Sequence, residues 1–60
     1  MSLSRDFIYA FILGQLKLNP GMSQEEAKTN FASWLTASDV CSEDEKQKIV
    51  ADLVSYNVKG

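Results

Sequence analysis

Residues 7–13 read FIYAFIL, an unbroken apolar run inside a chain of 60 residues. No polar side chain interrupts it, so any regular structure it adopts is apolar on every side. Its Ile, Tyr and Phe residues favour strands. A strand needs a partner, however, and the chain holds no second strand-like run. The run is therefore read as helix. A helix that is apolar all round is covered all round, and how this one is covered decides much of what the chain can be.

Size limits what is available to cover it. A domain of this length buries roughly 60% of the surface its unfolded chain exposes, and its core supplies about 3–5 kcal/mol of net stability. Small domains add to this with disulfides, a metal or a partner chain. Cys41 is the only cysteine, so no intrachain disulfide forms, and histidine is absent. One thiolate does not make a zinc site, which takes about four N or S ligands. Association with another chain is the remaining addition. An unpaired cysteine fits a reducing compartment. Asp6 before the run, with Arg5 as the only nearby base, does not read as a signal peptide. Gln15 and Lys17 end the run well short of the roughly 20 residues of a membrane span. The expected location is cytoplasmic.

Two breaks divide the chain. Asn19-Pro20-Gly21 stops a helix, because proline cannot continue one and biases the residue before it away from helical geometry. Residues 38–42 form a short, mostly polar connection. A capping box follows each break: Ser23 with Glu26, then Ser42 with Glu45. Met22 and Ala27 are spaced for a hydrophobic staple around the first box, and Ser4 or Ser2 caps the opening helix. The prediction is an all-α, single-domain chain over 1–60, a small three-helix bundle with helices at about 4–18, 24–37 and 43–57.

At about 100° per residue, the second helix places Ala27, Phe31, Trp34 and Leu35 on one narrow stripe, and the third turns Ile49, Val50, Leu53 and Tyr56 inward, with Val54 at the margin. The first helix carries two stripes, roughly 160–180° apart. One holds Leu3, Phe7, Phe11 and Leu18 beside the small residues Ala10 and Gly14. The other holds Ile8, Tyr9, Ile12, Leu13 and Leu16. If the other two helices straddle it, a single chain encloses both stripes. The favoured expectation is that one stripe meets those helices and the other meets a second chain. Each large residue left in water forgoes roughly 1.5–3 kcal/mol, much of the stability of so small a domain. Ile8, Tyr9, Ile12, Leu13 and Leu16 are taken as the interface, although the sequence does not decide which stripe is core. A two-fold homodimer is the simplest assembly.

Catalysis is not expected. Without histidine there is no Ser-His or Cys-His arrangement. Cys41 precedes a helix start, which favours a thiolate, but Asp39, Glu43, Asp44 and Glu45 around it oppose one. Those carboxylates lack the EF-hand spacing and read as helix-start acids. Glycines 14, 21 and 60 are too scattered for a phosphate loop. No metal or other cofactor is expected. The alternative is a helix-turn-helix DNA-binding regulator built on the last two helices. It is disfavoured, because Glu43, Asp44 and Glu45 would face the phosphates. Lying on a membrane surface is disfavoured too, since the first helix has no basic face. Trp34 reads as core and Tyr9 as an interface residue. The expected function is a non-enzymatic protein–protein interaction module, a homodimeric small regulator or inhibitor of bacterial or phage type. Its expected partners are a second copy and a larger protein. The regulator class rests on size alone, and no motif carries a family resemblance.

Overall fold

The computed structural model describes residues 3–58. It has three helices, α1 (Arg5–Leu18), α2 (Gln24–Ala37) and α3 (Glu43–Asp52), and a single 3-10 turn (Leu53–Ser55) continues α3. No strand occurs among the described residues. The expected all-α three-helix bundle is what forms.

Each helix starts where its serine stands. The hydroxyls of Ser4, Ser23 and Ser42 accept the backbone N–H of Phe7, Glu26 and Glu45 at 3.1, 3.2 and 3.2 Å. Each satisfies an amide donor that the helix itself cannot pair. Acids follow in all three first turns, where the helix dipole favours them. Met22, just before the second cap, is partly buried against the core cluster that includes Ala27, consistent with a hydrophobic staple. α1 stops at Asn19, whose backbone and side-chain N–H groups both donate to the Gln15 carbonyl at 3.0 Å. Pro20 then prevents continuation.

The core comprises Ile8 and Ile12 from α1, Ala27, Phe31 and Leu35 from α2, and Ile49, Leu53, Tyr56 and Val58 from the C-terminal part. α1 and α2 make the most extensive pairing, and α3 packs on α2 over a smaller area. Aromatic rings close the upper side of the α1–α2 pair. Phe11 meets Phe31 edge-on at 5.1 Å, and Trp34 lies 5.3–5.8 Å from Phe7, Phe11 and Phe31. Such contacts add to simple area burial.

The third helix is shorter than expected. α-helix ends at Asp52 and the chain is extended from Tyr56. Valine, serine and asparagine at 54, 55 and 57 are weak helix formers. The extended tail has a specific gain to offer in exchange. Val58 becomes fully buried, and the Gln24 side-chain amide grips its backbone from both sides. Gln24 Nε2 donates to the Val58 carbonyl at 2.5 Å, and Val58 N–H donates to Gln24 Oε1 at 3.2 Å. A glutamine at the start of α2 thereby replaces a strand partner for the chain end.

A candidate interaction surface on the first helix

The inner side of α1 is set by Ile8 and Ile12, which are 3% and 0% exposed. Phe11 flanks them toward Phe31. Leu13 and Leu16 pack partly against the same core. The structure therefore corrects the assignment of Ile8 and Ile12 to an intermolecular surface: they are the contact between α1 and the rest of its own chain. The two-stripe projection treated each stripe as a unit. In the fold, the core formed with α2 and the C-terminal part encloses Ile8 and Ile12, while other members of both stripes remain exposed or half-buried. Of the five residues expected at an interface, Tyr9 is exposed, and Leu13 and Leu16 are half-buried.

The outer side of α1 is the more exposed one. Tyr9 is 39% exposed on one flank of it, and Phe7 and Leu18 are 42% and 81% exposed on the other. Ala10 is exposed and Gly14 half-exposed between them. A Cβ added at Gly14 would meet nothing within 4 Å, so packing within the chain does not require glycine there. Mid-helix glycine nevertheless costs roughly 0.5–1 kcal/mol relative to alanine. Asp6 and Lys17 stand at the two ends of this side, both exposed. Neither joins an ion pair among the described residues. Composition and hydropathy alone do not single out Ala10, Gly14, Asp6 and Lys17. The signal that finds them is their helical spacing of three, four and seven residues, which puts them opposite Ile8 and Ile12.

A second uncovered region is the shallow groove between α2 and α3. Thr29, Ala32, Thr36 and Val50 line it. Val50 and Val54, expected inside or at the margin, are 40% and 85% exposed. At one end lies Lys46, buried although charged. Its Nζ lies 3.4 Å from the Thr36 carbonyl and 3.5 Å from Glu43 Oε1.

Cys41 is half-buried against the core. Among the described residues no three His, Cys, Asp or Glu side chains converge on a point that could hold a metal ion. Among them, too, no helix is long and apolar enough to cross a membrane. Compared with protein-family models, curated proteins and solved structures, the chain matches none.

Proposed function

We propose that the chain is a non-enzymatic protein–protein interaction module that pairs with a second copy through the outer side of α1. The observation that supports this is the apolar surface left there. Tyr9 on one flank of this side, and Phe7 and Leu18 on the other, are each more than a third exposed, with Ala10 and Gly14 between the flanks and open space around Gly14. Exposed apolar residues flanking one helix face suit that face to a partner. The bundle fulfils the rest of what an interaction module needs: caps at every helix start, a filled core and a rigid helix to present. The class of small regulator or inhibitor, acting on a larger protein, is an analogy from size.

What weighs against the DNA-binding alternative is the start of α3. Glu43, Asp44 and Glu45 occupy its first turn, and Lys46 is folded in rather than offered outward.

The test compares two exposed positions on opposite surfaces, Ala10→Glu on the outer side of α1 and Val50→Glu in the α2–α3 groove. Light scattering on a size-exclusion column reads the mass. The expected result is a dimer for the parent chain and for Val50→Glu, and a folded monomer for Ala10→Glu. A dimer that survives Ala10→Glu and is lost in Val50→Glu would move the interface to the groove and end this reading.

A further inference from the structure

The order of residues along the outer side of α1 carries more than a tendency to associate. Asp6, Tyr9, Ala10, Leu13, Gly14 and Lys17 span roughly 140° of the helix circumference, centred roughly 150° from Ile8 and Ile12. They cover about 16 Å of the helix axis. Read from one end the series runs acid, bulky and small, bulky and small, base. Tyr9 and Leu13 lie along one edge of this side, and Ala10 and Gly14 along the other.

We infer that two copies pair antiparallel through this face, about a two-fold axis level with Phe11 and Ile12. The inference rests on the proposed self-association and specifies its geometry. In that arrangement Asp6 of each copy faces the partner's Lys17, so the interface holds two opposite-charge pairs. Tyr9 of each copy lies against the partner's Leu13. Ala10 of each copy meets the partner's Gly14, which lets the backbones approach on that edge. Every contact occurs twice with the roles exchanged, as an isologous interface demands. A parallel pairing places Asp6 against Asp6 and Lys17 against Lys17, both repulsive. The charge order thus selects one orientation, and it selects a second copy of this chain as the occupant. α2 packs on the side of α1 that carries Phe11, away from this face, and does not obstruct it. A single helix pair is at the small end of stable interfaces, so the dimer is concentration-dependent.

Charge reversal tests the orientation. Asp6→Lys and Lys17→Glu are each made alone, together in one chain, and as a mixture of the two single variants. All are checked for helical circular dichroism and studied by sedimentation equilibrium at low salt. Each single variant turns two attractive pairs into two repulsive ones and is expected to weaken pairing about tenfold. Asp6→Lys removes the net charge of −2, so general repulsion between its copies falls. Weaker pairing of that variant therefore reports the specific contact. The double variant regains both attractive pairs with their signs exchanged and is expected to pair like the parent. The mixture is expected to form heterodimers at least as tight as the parent dimer. If the parent dimerises and the single variants pair equally well, the antiparallel geometry is wrong while self-association stands. If the parent is monomeric at every concentration, the self-association reading falls and this inference falls with it.

Discussion

Lys46 shows how a single residue takes a role that its neighbours in sequence do not announce. It belongs to a helix whose flanks are Glu43, Asp44, Glu45 and Lys48, and by pattern it is one more surface charge. In the fold its aliphatic stem is buried and its ammonium reaches the end of α2. That end has no base in its own last turn, so Lys46 supplies in space the cation that the helix dipole favours there. The polar contacts are long, at 3.4 and 3.5 Å, and the Glu43 side chain is 81% exposed. Contacts of that length, one of them to an exposed partner, are weak, so packing of the stem is the larger contribution. Lys46→Met keeps the stem and is expected to change stability by less than about 1 kcal/mol, whereas Lys46→Ala costs about 1–2 kcal/mol. Urea unfolding followed by Trp34 fluorescence measures both. Equal losses for the two variants would show that charge, not packing, dominates. Gly14 gives the opposite case, a residue whose local effect is unfavourable. With open space around its Cβ position, Gly14→Ala is expected to stabilise the monomer by about 1 kcal/mol. Thermal unfolding under dilute conditions reads this as a raised midpoint.

Among the elements, those with local signals were legible in the sequence. Asn19-Pro20-Gly21 and the serine-acid boxes mark chemistry that acts within three or four residues, and the hydroxyl-to-amide bonds form at those serines. The narrow stripe of α2 was legible for the same reason: Ala27, Phe31 and Leu35 are fully buried. The end of α3 was not. Its cause is a residue 34 positions away in sequence, Gln24, whose amide pairs with the Val58 backbone. No periodicity in residues 43–57 encodes that. Ile8 and Ile12 were misplaced for a related reason. A helix apolar on all sides has no polar face to orient it, so only the positions of α2 and α3 decide which residues are enclosed. The Gln24 clamp gives an element-scale prediction. Gln24→Ala leaves the buried Val58 N–H and carbonyl without partners, and an unsatisfied buried polar group costs about 1–3 kcal/mol. Loss of stability together with faster amide exchange at Val58 is expected. Unchanged exchange at Val58 would show that burial of its side chain alone holds the tail.

For the whole molecule the governing quantity is the ratio of apolar helix to covering helix. α2 packs along α1, core residues of the C-terminal part help enclose Ile8 and Ile12, and the aromatic cluster extends that cover along one edge. The outer half of α1 has no further element over it among the described residues. In the proposed dimer a second copy covers it, and Asp6 and Lys17 at the ends of α1 orient the pair. The most direct measurement is sedimentation equilibrium of the unmodified chain from micromolar to near-millimolar concentration. The expected mass rises from 6.7 kDa toward twice that value as concentration increases. A mass that stays at 6.7 kDa over the whole range would contradict the claim that a second molecule covers the outer side of α1.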